Sequence, residues 1–268
     1  MDLTKVRNYI GFNIISVILA LSLNFLAVSL PLNNKTTGEL SDAYPNYFVP
    51  AGFTFSIWGI IYLLLIAFIV YQAYQYFKKD QNTLENILAI GPWFLISGLA
   101  NAGWIIAWHY EMIELSLVIM ILLLFSLIKI YNVLYNGRPH NMLDNILISL
   151  PFSVYLGWIC VATIANVTTF LVSIGWDGGG IAPQNWAILM ILIAALLGIM
   201  MIFKYGDVAF TAVIIWAFYG IYSKQSSIQL SGSENVALVA KYAMTLILIY
   251  SVLTFVGRKS YIYHSKRN

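Results

Sequence analysis

The sequence predicts an all-α integral membrane protein of eight transmembrane helices, and three observations predict it. Hydrophobic residues make up 60% of the 268-residue chain and charged residues only 9%. Soluble domains carry roughly a quarter charged residues, so no polar shell can be assembled here around a water-soluble fold. The length divides into apolar runs of about 20 residues, the span of a bilayer core at ~1.5 Å per helical residue. These runs are apolar throughout rather than alternating, which argues against a β-barrel.

In chain order the runs cover residues 9–30, 53–76, 84–108, 115–134, 145–171, 186–203, 208–222 and 236–256. Lys5 and Arg7 precede the first, as in a signal peptide, but the run exceeds the ~7–15 residues of a signal core and reads as a retained helix. The third contains Gly91-Pro92, a kinking pair. The seventh is the shortest, and only residues 204–207 join it to the sixth. Eight spans place both termini on one side. That side holds Lys5, Arg7, Lys78, Lys79, Lys129, Arg138, Lys204, Arg258, Lys259, Lys266 and Arg267, and the other only Lys35, Lys224 and Lys241. Positive residues concentrate on the cytoplasmic face, so both termini are expected inside, as suits a bacterial cytoplasmic membrane. Tyr71, Tyr74, Tyr76 and Phe77 at one boundary, and Tyr261 and Tyr263 at another, suit interfacial anchoring.

Several chemistries find no support. Glu114, Asp144 and Asp207 fall at span ends, where water or headgroups are expected to solvate them, and no carboxylate lies deep in a span as a coupled pump needs. Lys241 is expected to snorkel to the interface. His109, His140 and His264 fall in loops or the tail without clustering, so no metal site is expected and each reads as solvated. Cys160 reads as a packed thiol, and one cysteine excludes an internal disulfide. Gly178-Gly179-Gly180 reads as a flexible loop. A net charge of +3 gives no reason to expect nucleic acid. Nothing demands catalysis or a required cofactor.

The informative residues are aromatic and amide groups on three runs. Phe55, Trp58 and Tyr62 share one helical face at i, i+3, i+7. Asn101, Trp104 and Trp108 repeat that spacing, and Tyr155, Trp158, Ala162 and Asn166 extend it by one turn. An amide in hydrocarbon is costly unless bonded, so Asn101 and Asn166 are expected to face the bundle. Such residues also glue membrane helices together. Three matching stripes favour a slot for a flat, largely apolar ligand, with Ala162 leaving room in its wall.

Three segments carry a family resemblance. The run from Pro50 through Phe55 and Trp58 to Tyr62 resembles the opening of the second helix of the TspO/MBR family, the tryptophan-rich sensory proteins related to the mitochondrial translocator protein. Asn101-Ala102-Gly103-Trp104 resembles its helix-three element, and Trp158 through Ala162-Thr163 to Asn166 its helix-five element. The resemblance covers about residues 9–175 and implies a five-helix bundle with a pocket for tetrapyrroles such as protoporphyrin IX or heme, or for sterols. Trp58, Tyr62, Asn101, Trp104, Trp158, Ala162 and Thr163 match its motif positions, and Phe55, Trp108, Tyr155 and Asn166 join them by helical phase. Ala102 replaces a frequent tryptophan, Met120 a frequent aspartate, and Trp93 lies off the usual cluster. A nominal sterol pattern, Val256, Tyr261 and Lys266, falls in the tail.

The expected organisation is thus a TspO-like membrane domain, residues 1–175, and a three-helix extension, residues 176–268, with no assigned role. The expected function is a sensor or carrier binding porphyrin-like or sterol-like molecules in the bilayer. An uncoupled transporter or channel, or a structural assembly protein, is the alternative, and a homodimer stays open.

Overall fold

The computed structural model describes residues 2–29, 32–136, 142–228 and 230–256. Arg138, His140, Arg258, Lys259, Tyr261, Tyr263, His264, Lys266 and Arg267 lie outside them, and with them the tail's sterol pattern. Among the described residues the regular structure is helical, without a strand. The long helices are α1 (Leu3–Ser29), α3 (Ile57–Lys78), α5 (Trp93–His109), α6 (Ile113–Asn136), α8 (Leu150–Ser173), α9 (Pro183–Tyr205), α10 (Val208–Ser227) and α11 (Ser233–Val256). Shorter pieces are α2 (Thr37–Asp42), α4 (Gln81–Ile90) and α7 (Met142–Asp144), the last running through a π turn, Asn145–Ser149, into α8.

Local chemistry sets the boundaries. Asp80 and Asp207 cap α4 and α10 by accepting from the backbone N–H of Thr83 and Phe210, satisfying donors that a helix start leaves free. Thr36 and Glu39 form a reciprocal capping box on α2. The bonds from Thr36 hold the Glu39 carboxyl below its ordinary value. Gly206, at φ 65°, stops α9 in the left-handed conformation that glycine adopts without a steric penalty. At Gly91-Pro92 the third span breaks, and α4 and α5 meet at a 52° bend.

The chain is an all-α membrane protein. Six of its helices are long and apolar enough to cross a bilayer, and α4 with α5 makes a seventh span if the bent pair counts as one. The remaining expected span, α10, is absent from that set, because its last turns carry Ser223, Lys224, Gln225, Ser226 and Ser227. It is longer than the sequence suggests: 20 residues rather than a helix ending at Tyr222.

α1 packs on α3, α4 and α5, α5 on α6, and α6 on α8. α8 then meets α10, which packs against both α9 and α11. One apolar core runs from Val17 on α1 to Ile247 on α11, so α9–α11 share it. The crossing of α8 over α10 depends on Gly157: a Cβ there would lie 3.0 Å from the Phe210 carbonyl and 3.2 Å from Val213 Cβ. Small residues let membrane helices approach this closely.

Three expectations about span ends are corrected. Asp144 and Asp207 are buried, not solvated. Asp207 lies 2.6 and 2.7 Å from Ser153 Oγ and accepts from Tyr131 Oη at 2.8 Å and Phe210 N at 2.9 Å. Asp144 accepts from Tyr71 Oη at 2.7 Å and Thr83 Oγ1 at 3.3 Å. Tyr71 is therefore a buried hydroxyl donor rather than an interfacial anchor, while Tyr74 and Phe77 are exposed as expected. Lys241 is exposed on α11. Cys160 is a free, half-buried thiol.

Candidate functional site

Trp58, in the first turn of α3, is the hub of the aromatic stripes. Its ring stacks on Tyr62 at 5.4 Å and 18° and leans on Trp104 of α5 at 6.4 Å. Tyr155 and Trp158 of α8 meet it edge-on at 5.8 and 6.3 Å. Trp104 stacks on Trp108 one turn further along α5, at 5.6 Å and 19°. Phe55, in the short turn Gly52–Ser56 ahead of α3, stands edge-on to Trp158 at 5.9 Å.

Between these rings lies a small cleft of about 30 Å³, room for a water or two with the rings as they stand. Phe55, Trp58, Trp104, Trp108 and Trp158 form its aromatic walls. Val161, Ala162, Ala165 and Asn166 of α8 form a smoother wall, and Ser41 and Pro50 close it from the segment between α1 and α3. Small side chains at 162 and 165 leave the space that larger ones would fill. None of the lining residues is ionisable.

Tyr62, Asn101 and Tyr155 do not line the cleft but form a bonded layer beneath it. Asn101 Nδ2 donates to Tyr155 Oη at 2.8 Å, and Asn101 Oδ1 accepts from Asn24 Nδ2 at 3.1 Å and Tyr62 Oη at 3.4 Å. Trp104 Nε1 donates to Asn166 Oδ1 at 3.3 Å, and Asn166 Nδ2 to Ser116 Oγ at 3.1 Å. Both amides face the bundle, as their cost in hydrocarbon requires. Thr163 is away from the cleft, and its hydroxyl returns to the Ile159 carbonyl at 2.7 Å. Trp93 also lies apart, edge-on to Phe125.

The segment over the cleft is fastened on two sides. On the α5 side His109 is buried, which overturns its reading as a solvated loop residue. Its Nδ1 lies 3.1 Å from the Leu32 carbonyl and its Nε2 3.1 Å from Thr37 Oγ1. A carbonyl only accepts, so Nδ1 carries the proton and Nε2 accepts from the Thr37 hydroxyl. Trp108 Nε1 donates to the Thr37 carbonyl, and Lys35 pairs with Glu111 at 2.7 Å. That bond lowers the Glu111 pKa and raises that of Lys35.

On the other side the fastening comes from α10. The Ala51 N–H donates to the Gly220 carbonyl at 3.1 Å, and Trp216 Nε1 to the Thr54 carbonyl at 2.9 Å. Gln225 Nε2 donates to the Tyr47 carbonyl at 3.0 Å, and Lys224 pairs with Asp42. Gly220 permits this contact, since a Cβ there would run into Thr54 Oγ1 and reach within 3.0 Å of Pro50 Cβ.

Sequence reasoning missed Asn24, Ser116, Ser41 and Pro50 as parts of the site. Asn24 had a readable signal, an amide inside an apolar run. Pro50 opens the run that carries the family resemblance, whereas Ser116 and Ser41 have no signal, because only the fold brings them to the rings.

With this geometry in view, the comparison with known families is decisive: the sequence matches the family described as TSPO-like protein over residues 10–255. The chain belongs to the TSPO-like family. The match continues past residue 175 through α9 and α10 and into α11, so these helices of the TSPO-like chain fall within it. No curated protein and no solved structure matches the chain.

Proposed function

We propose that this TSPO-like chain is a membrane-embedded binding protein that senses or carries flat, largely apolar ligands, tetrapyrroles such as protoporphyrin IX or heme foremost among them. The observation that carries the reading is the convergence of five aromatic rings on one cleft between α3, α5 and α8; at about 30 Å³ that cleft must widen to admit a macrocycle. Rings presented face-on and edge-on give a planar ligand stacking and van der Waals contact at little entropic cost. The bonded layer of Asn101, Tyr62, Tyr155 and Asn24 holds the walls in register. No histidine or cysteine lines the cleft, so heme would be held by its ring and not through an iron ligand.

In this reading residues 1–175 supply every lining side chain and residues 176–268 brace the covering segment through α10. Packed between α9 and α11, α10 makes the eighth span, which keeps both termini on the basic, cytoplasmic side. The test is a ligand screen on purified protein read by intrinsic fluorescence, comparing protoporphyrin IX, heme and a sterol. Saturable quenching by a planar ligand, diminished by Trp104→Ala or Trp158→Ala, is expected. Absence of saturable quenching across the screen would refute it. Movement of the same ligand across proteoliposomes separates a carrier from a sensor.

A further inference from the structure

We propose that the α9–α11 extension is the latch of the covering segment: residues 47–55 part from α10, while residues 32–44 stay fastened to the end of α5. That this opening admits a ligand rests on the reading of the cleft as a ligand site; the opening itself does not.

Three observations carry it. First, the cover comes in two halves held by different helices. In one half Asn33 Nδ2 donates to the His109 carbonyl at 3.0 Å and Tyr44 Oη to Glu111 Oε2 at 3.3 Å, beside the bonds of His109, Trp108 and Lys35. In the other half Tyr47, Ala51 and Thr54 are held by Gln225, Gly220 and Trp216, and Tyr47 Oη donates to the Ser231 carbonyl at 2.9 Å. Lys224 also reaches across to Asp42 in the first half, but Asp42 is exposed and such pairs hold weakly.

Second, the two seams are not equally satisfied. Thr54 Oγ1 and Gln225 Oε1 are buried without a hydrogen-bond partner. The Thr54 hydroxyl lies against Gly220, where a Cβ would run into it, and the Gln225 amide is tied to Tyr47 through its Nε2. Among the described residues, no side-chain polar atom of the α5 seam is buried in that state. A buried polar atom without a partner destabilises the closed arrangement and recovers its bond when water reaches it. Closing the α10 seam carries that penalty twice, and closing the α5 seam does not.

Third, the α10 half carries more of the wall. Pro50 and Phe55 both line the cleft, whereas the α5 half supplies Ser41. Release of residues 47–55 therefore frees two wall residues together, as a cleft of about 30 Å³ requires before it can widen.

Amide exchange on the full chain in detergent reads the opening without any ligand. The Ala51 N–H is bonded to the Gly220 carbonyl across the seam and exchanges only when that bond opens. Thr54→Val keeps the side-chain shape and removes the unpartnered hydroxyl, so Ala51 exchange is expected to slow about tenfold. The amides of Leu40 and Ala43, bonded to the carbonyls of Thr36 and Glu39, should not change. Glu111→Gln, which loosens the α5 seam, should leave Ala51 exchange as it is. Ala51 exchange that ignores Thr54→Val overturns the proposal. So does faster Ala51 exchange in Glu111→Gln, which would mean that the cover moves as one body. Association of protoporphyrin IX, followed by tryptophan quenching, should slow by the same factor in Thr54→Val. Slowed exchange with unslowed association overturns the α10 seam as the entrance. Slowed exchange with no porphyrin binding in either protein supports the latch and refutes the cleft reading instead.

Discussion

The two ends of the bundle bury polar groups in opposite ways. At one end Asp207 and Asp144 are enclosed carboxylates, gripped by hydroxyls from other helices and, for Asp207, by a backbone N–H. At the other, the polar groups are neutral amides, phenols and indoles, and they surround a cleft. The difference teaches what each end is for. A buried carboxylate demands bonds all round and leaves little tolerance for movement. Neutral groups cost less to desolvate, so one donor, Trp158 Nε1, can stay buried without a hydrogen-bond partner. Rigidity belongs to the carboxylate end, and the recognition proposed for this chain to the aromatic end.

The sharpest way to break this contrast is Asp207→Ala. It strips the cap from α10 and leaves the Ser153 and Tyr131 hydroxyls without their acceptor, so a loss of about 3 kcal/mol in thermal or denaturant unfolding is expected. Ligand affinity of the protein that remains folded should not change. Acidity gives a signed companion test. Burial pushes the Asp207 carboxyl above its ordinary value of 3.8, against bonds from Phe210, Ser153 and Tyr131 that pull it down. A raised folded-state value means that this group stabilises most below pH 3.8 and loses that contribution as pH rises through its folded value. The pH dependence of unfolding should therefore flatten over that window in Asp207→Asn.

Next in size is Asn101→Ala, which unties Tyr62, Tyr155 and Asn24 together. About 2 kcal/mol of stability should go, and ligand affinity should fall as well, in contrast to Asp207→Ala. Gly220→Ala is smaller, roughly 1–2 kcal/mol. It pushes Thr54 and Pro50 away from α10 and should weaken ligand binding severalfold in a quenching titration, although residue 220 touches no ligand. Lys224→Ala is smallest: the partner Asp42 is 55% exposed, and exposed pairs contribute under about 1 kcal/mol. A large effect there would show that α10 grips the covering segment by charge rather than through Gly220 and Trp216.

Much of this was legible in the residue order. Hydropathy located the apolar helices, because a bilayer imposes similar length and polarity on its spans; six are long and apolar enough to cross, and a seventh if α4 and α5 count as one. Helical phase brought Phe55, Trp58, Trp104, Trp108, Trp158, Ala162 and Asn166 to one cleft, since i, i+3, i+7 spacing survives any packing of straight helices. What stayed hidden depended on contacts between distant segments. Asp207 reads as an exposed turn until Ser153 and Tyr131 close over it. His109 reads as a loop residue because the apolar run ends at Trp108, yet the stretch between α1 and α3 folds back to bury it. The brace from α10 was invisible for the same reason: Gly220 and Trp216 gain meaning only beside Pro50 and Thr54.

The most direct test of the central claim is a fluorescence titration of the purified wild-type chain with planar tetrapyrroles, paired with Trp104→Ala, Trp158→Ala and Asp207→Ala. The predicted result is saturable quenching that both tryptophan variants diminish and that folded Asp207→Ala retains. Quenching that never saturates, or that both tryptophan variants leave unchanged, would contradict an aromatic ligand cleft between α3, α5 and α8.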